Sequence, residues 1–205
     1  MKNKSLFINE IFLFLILLKV NILFSQVTDI ENNKYGTIEI GKTIWMSKNL
    51  NVSKFNNGDK IFEAKSIEDW EKAMNDSIPA YCYYDFNKKF GKKYGKLYNG
   101  FAIRDKRGLA PEGWHISDSV DWVEILNNNS LDKVSKLLII QLGGTHDPFG
   151  GSWGMGETSI FWLGDKKNSK LEYDLSLIFP SDIEETFDRR HIYHPQSIRC
   201  VKNKK

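Results

Sequence analysis

YGKLYNGFAIRDKRGLAPEGWHISDSVDW, residues 94–122, sets aromatic side chains among Gly and Pro punctuation and runs directly into an amphipathic helix. Gly95, Gly100 and Gly113 read as turns with positive φ, where a residue without a Cβ is tolerated. None of them sits in the glycine pattern that precedes a phosphate-cradling helix. Trp114 and Trp122 are large apolar groups with one N–H to satisfy, a core role. Ser117 stands where a cap is needed, and Val120, Trp122, Val123, Ile125 and Leu126 follow at mixed helical spacing, so a helix is expected over 118–127.

Working toward the N-terminus, Ser66 precedes Ile67, Trp70, Ala73 and Met74, with Asp69 placed to favour the positive end of a helix expected over Ile67–Asn75. Asn57-Gly58-Asp59 closes an Asn-rich turn region. Tyr35–Ile40 and Thr43–Trp45 flank Gly41 as a hairpin with which the exported chain should begin. Toward the C-terminus, Leu131, Val134, Leu137 and Leu138 fall on one face of a third helix over Ser130–Ile140, ended by Gly143-Gly144. The Gly- and Pro-rich run to Gly156 predicts a long irregular loop. Strands are expected at Ile160–Leu163, Leu171–Phe179 and Gln196–Lys202. Helices in the middle and strands at both ends give an α+β class whose terminal strands can pair in one sheet.

Lys2 and Lys4 lead an apolar stretch from Ile11 to Phe24, and Ser25 offers a small residue for cleavage before Gln26. The uninterrupted apolar run is well short of the roughly 20 residues that span a bilayer. Residues 1–25 are therefore expected to be a signal peptide and residues 26–205 one secreted or cell-surface domain with no membrane span. Loss of Lys2, Lys4, Lys19 and Glu10 lowers the net charge from +3 to +1. Such a balance gives no general attraction to nucleic acid. Cys82 and Cys200 are the two cysteines, 118 positions apart. In an oxidising compartment an even count favours a disulfide between them, with two buried thiols as the alternative.

WMSKNLN at residues 45–51, PAYCYYD at 79–85, YGKLYN at 94–99, LAPEGWHIS at 109–117 and SIRCVKN at 197–203 together resemble the Fibrobacter succinogenes major paralogous domain. These blocks reach from about Tyr35 to Lys202. The resemblance implies a bacterial secreted or surface protein, and the family has no settled activity. The element order also looks like the C-type-lectin-like fold, with terminal strands closing on two or three short helices and a long loop carrying the variable surface. The chain departs from the family with GGTHDPFGGSWG in that loop and FWLGD at 161–165.

Phe149 and Trp153 sit among glycines, which makes His146, Phe149 and Trp153 the candidate ligand-binding residues if the rings are exposed to stack on a sugar or anchor a protein; folding of Trp153 back into the core is the alternative. His194-Pro195-Gln196 lacks the carboxylate and amide oxygens of a calcium-dependent sugar site. His191 and His194 lie near Glu184, Glu185 and Asp188, a weak zinc signal, and no metal or cofactor is assigned. His115 reads as bonded to backbone beside the helix cap. A formylglycine-generating-enzyme-like cysteine chemistry would need accessible thiolates. A noncatalytic module binding a glycan or a surface protein is the leading expectation; an exported enzyme of unknown reaction and a structural component of a surface assembly stay open.

Overall fold

The computed structural model describes residues 25–165, 173–179 and 187–203. The N-terminal apolar stretch expected to be a signal peptide, and Glu184, Glu185, Lys204 and Lys205, lie outside the described residues. The chain forms β1 (Gln26–Thr28), β2 (Lys34–Ile40), β3 (Thr43–Met46), β4 (Phe62–Glu63), α1 (Ile67–Asn75), β5 (Ala80–Cys82), α2 (Gly91–Tyr94), β6 (Leu97–Tyr98), α3 (Gly100–Arg104) and β7 (Trp114–Ile116). After these come α4 (Ser119–Leu126), α5 (Leu131–Leu137), β8 (Gly143–His146), β9 (Ser152–Met155), β10 (Ser159–Trp162), β11 (Tyr173–Phe179), β12 (Phe187–His191) and β13 (Cys200–Lys202). The class is α+β.

Five strands form an antiparallel sheet in the order β1-β2-β3-β13-β7. The last strand lies inside it, with Val201 opposite Trp45 on one side and His115 on the other. The first and last described strands thus share one sheet, as anticipated for the terminal strands. The expected β2–β3 hairpin forms around Gly41, but β1 precedes it. That strand is too short, at three residues, to show an alternating pattern. β10-β11-β12 and β4-β5-β6 form two smaller sheets, and β8 pairs with β9. Backbone bridges from Tyr98 to Gln196 and from Phe161 to Ser197 stitch these layers to the segment that enters β13.

Local chemistry accounts for the helices. Ser66 accepts from the Asp69 amide and caps α1, which buries Trp70, Ala73 and Met74. For α4 the cap is Asp118, not Ser117. Asp118 and Asp121 each accept from the other's backbone N–H, a reciprocal box that satisfies two amides at the helix start. Ser117 is instead fully buried, and its hydroxyl accepts the Trp122 indole N–H at 2.9 Å. α5 ends at Leu137 through Ile139 in the left-handed region (φ 51°), ahead of the glycines expected to stop it. Asn99 is fully buried and accepts from the amides of Ala80 and Ala102 at 3.0 Å while donating to Ile78 O at 2.9 Å. That single amide ties β5 to the start of α3. Gly95 and Gly113 have positive φ as expected, but Gly100 does not. A Cβ at Gly100 would lie 2.5 Å from that of Ile192, so close packing accounts for this glycine.

Trp122 is fully buried, as expected, and so are Trp45 and Trp162, while Trp114 is half-buried. Trp122 packs on Trp45 at 4.6 Å and on Phe161 at 5.8 Å between ring centroids. Its indole and that of Trp162, which donates to Tyr98 O at 2.7 Å, are satisfied. Two buried cations were not anticipated. Arg199 donates to Met46 O at 2.8 Å, Leu138 O at 3.1 Å and Asn49 Oδ1 at 2.8 Å, joining β3, the end of α5 and the approach to β13. Burial lowers its pKa to about 9. Lys96 lies over the rings of Tyr81 and Tyr83, 5.0 and 5.6 Å from their centroids, and donates to both oxygens of Asn51. Burial lowers its ammonium to about 8.

Candidate functional site

The run expected to be an irregular loop is a β-hairpin, with Gly143 opposite Met155, Thr145 opposite Trp153 and His146 opposite Ser152. Its glycines mislead because they are part of the strands. Gly144 sits at φ +67°, and a Cβ there would meet Trp153 O and the Tyr84 ring at 2.6 Å. Asp147 turns the chain, its Oδ1 accepting the Phe149 amide at 2.9 Å and its backbone oxygen accepting Gly150 N at 3.2 Å. Phe149 is left 70% exposed at this tip and Trp153 44% exposed on β9. The base is fixed: Thr145 and His146 are buried, and Ser152 Oγ accepts from Asp85 N at 3.1 Å.

His146 is not on that surface. It is fully buried, its ring 5.5 Å from Trp70 and 4.9 Å from Phe86. Its Nδ1 lies 3.0 Å from Asp147 O and its Nε2 3.0 Å from Cys82 Sγ. With Nδ1 donating to the carbonyl, Nε2 is the acceptor for the Cys82 thiol. Burial pushes the Cys82 pKa well above its ordinary value and lowers that of His146, so the pair is a neutral thiol and a neutral imidazole.

The expected Cys82–Cys200 disulfide is corrected: both cysteines are free and buried. Cys82 is engaged with His146, whereas Cys200 lies on β13 opposite Ile116, in a different apolar cluster. Burial pushes the Cys200 thiol up to about 12. Compartment and parity argue for a bridge without specifying whether the two Cβ atoms approach, and here packing decides.

A concavity lies between the α3–β7 connection, β7, the end of β10 and the C-terminal strand, with a volume of about 830 Å³. His115 stands in its wall, half-buried, with Nε2 2.8 Å from Asp121 Oδ2 and Nδ1 2.8 Å from Asn203 Oδ1. Its partners are thus two side chains, not backbone. The hydrogen bond to Asp121 raises the His115 pKa against the lowering effect of burial. Burial pushes the Asp121 carboxyl upward, but the hydrogen bonds from His115 and the Asp118 amide outweigh it and hold it below the ordinary carboxylate value. Asp165 completes the acidic wall, accepting from Ser119 N at 3.0 Å and Ser119 Oγ at 2.5 Å. Sequence reading named none of these as site residues, because they converge from positions as distant as 56 and 203.

Among the described residues, His115, Asp118 and Asp121 form the one group whose potential metal-ligand atoms lie within 4.8 Å of one another. The Asp118 and Asp121 oxygens already serve the α4 cap and His115, which explains their proximity without an ion. Among the described residues, which leave out Glu184 and Glu185, His191 and His194 are not brought together with a carboxylate in such a group. The His191 ring instead lies 4.0 Å from that of Tyr193, and burial, then Arg190, lowers His194 to about 4. Among the described residues no helix is long and apolar enough to cross a membrane.

No curated protein and no solved structure matches the chain. A family model does, over residues 38–136, from within β2 to within α5 and so over less than the full run of motif blocks. YGKLYN and LAPEGWHIS, which supply buried Asn99, the β7 strand and the run-in to the α4 cap, lie inside that match. Residues 38–136 belong to the Fibrobacter succinogenes major domain family.

Proposed function

We propose that this chain is an exported, noncatalytic recognition domain of C-type-lectin-like architecture that contacts a glycan or a protein at the cell surface through the β8–β9 hairpin. The observation that carries the reading is the pair of large aromatics left in solvent, Phe149 at 70% and Trp153 at 44% exposure, on a hairpin whose inner residues are locked by His146 and Thr145. A rigid base with an exposed apolar tip can bind without first ordering a loop, which lowers the entropic cost of association. Flat aromatic faces suit both sugar rings and protein hot spots. The hairpin lies beyond the family match, which ends at residue 136, consistent with a variable contact surface on a shared scaffold. Two neutral, buried thiols argue against thiolate chemistry.

The test compares the wild-type chain with a Phe149→Ala, Trp153→Ala double variant on a glycan array and in pull-downs from surface extracts. The double variant is expected to weaken binding by roughly thirty-fold or more, the effect of losing about 2 kcal/mol of anchor contact. Binding that is unchanged in the double variant removes the hairpin from this role.

A further inference from the structure

We propose that the cleft walled by Trp114, His115, Asp118 and Asp165 is a second ligand site, built for an uncharged pyranose sugar. Its volume of about 830 Å³ lies in the range of small-molecule sites. Three features select the ligand.

The first is pre-organisation. Asp165 is held by two hydrogen bonds from Ser119, and His115 by Asn203 on one side and Asp121 on the other. Asp118 spends one oxygen on the Asp121 amide. An ionised carboxylate has about four lone-pair directions, so Asp118 and Asp165 each retain acceptor capacity in a fixed orientation. Vicinal hydroxyls are ligand groups that donate to such acceptors without bringing a charge.

The second is the pairing of these acceptors with an apolar face. Half-buried Trp114, Ile103 and Leu163 line the same cleft, so a ligand with one C–H face and a polar edge satisfies both walls. The third is charge. Asp118, Asp165 and the underlying Asp121 are set against Arg104 and His115. An anion would meet the carboxylates and a cation would meet the guanidinium and imidazole, whereas a neutral polyol meets neither repulsion and donates its hydroxyls to the carboxylates. A metal would compete with the α4 cap for the Asp118 and Asp121 oxygens, so the sugar is preferred to an ion. The inference does not depend on the hairpin, which presents a different tryptophan.

That separation supplies the test. Full-length ¹⁵N-labelled chain is titrated with the methyl glycosides of glucose, galactose, mannose and N-acetylglucosamine, with the indole N–H signals of Trp114 and Trp153 as separate reporters. The expected result is a saturable shift at Trp114 and His115 with at least one glycoside, weakened ten-fold or more in Asp165→Ala, whose remaining spectrum serves as the folding control. Absence of a Trp114 shift with all four probes at tens of millimolar overturns the proposal. A shift confined to Trp153 also overturns it while leaving the hairpin reading intact, and binding unaltered in a folded Asp165→Ala variant excludes this cleft. Because the wild-type titration is decisive alone, a variant that fails to fold does not rescue the idea.

Discussion

The segment from Tyr94 to Trp122 and the hairpin from Gly143 to Met155 are both rich in glycine and aromatic residues, yet they put the aromatics to opposite uses. In the first, Trp122 is fully buried, its N–H satisfied by Ser117 and its rings packed on Trp45 and Phe161. In the second, Phe149 and Trp153 stay in solvent while the buried positions go to Thr145 and His146. Composition is the same kind of signal in both places; what differs is whether a helix and a central strand lie over the ring. α4 and β13 cover the first region, whereas among the described residues nothing covers Phe149 at the tip of the two-stranded hairpin.

The largest expected effect tests the buried half of this contrast. Trp122→Ala removes a side chain that joins α4 to β3 and β10 and leaves a cavity between Trp45 and Phe161. The expected cost is about 3 to 5 kcal/mol, read as a lower urea midpoint at unchanged slope. A loss below about 1 kcal/mol, the scale of an ordinary surface change, would erase the distinction drawn between the two tryptophans.

What could be read from the sequence divides along the same line. α1 was legible because Ser66, Asp69 and the Trp70-Ala73-Met74 stripe all lie within one local pattern. The meeting of the terminal strands followed from the order of elements. The β8–β9 hairpin was not legible, because Gly144 and Gly154 read as breakers but occupy positive-φ positions inside paired strands. The α4 cap shifted by one residue since Ser117 and Asp118 are both competent caps, and the choice depends on Trp122 taking the Ser117 hydroxyl. Arg199 gave no local warning: its partners Met46, Asn49 and Leu138 lie up to 153 positions away. The acidic cleft was hidden for the same reason, being assembled from separate loops and strand ends.

An intermediate effect sharpens the comparison at the boundary of the aromatic block, where His115 bonds Asp121 and Asn203. The His115 pKa is raised, so its contribution to stability is complete below the unfolded value near 6.5 and is lost as pH rises through the folded value. The Asp121 pKa is lowered, so its contribution is present above the unfolded value near 3.8 and disappears as pH falls through the folded one. Together they favour the folded state most between about pH 4 and 6.5. Melting temperature should therefore decline on the alkaline side of this window in the wild type and more weakly in His115→Gln. Identical pH profiles for the two proteins would show that the imidazole does not link the C-terminal strand to α4.

The smallest effect is expected where the aromatics are exposed, and its smallness is the informative result. Phe149→Ala with Trp153→Ala removes contacts made mainly with water, and the hairpin base keeps the buried Thr145 and the bonds of His146 to Cys82 and Asp147. Unfolding free energy should change by no more than about 0.5 kcal/mol for the exposed Phe149, with the 44%-exposed Trp153 adding a modest increment. Far-ultraviolet circular dichroism and urea unfolding of the double variant measure this directly. A loss approaching that of Trp122→Ala would mean that Trp153 packs in solution, leaving no exposed anchor to reserve for a ligand. A near-zero change instead means that folding does not require these two rings to stay where they are, which is the condition a recognition surface must meet if it is to vary while the scaffold beneath it stays constant.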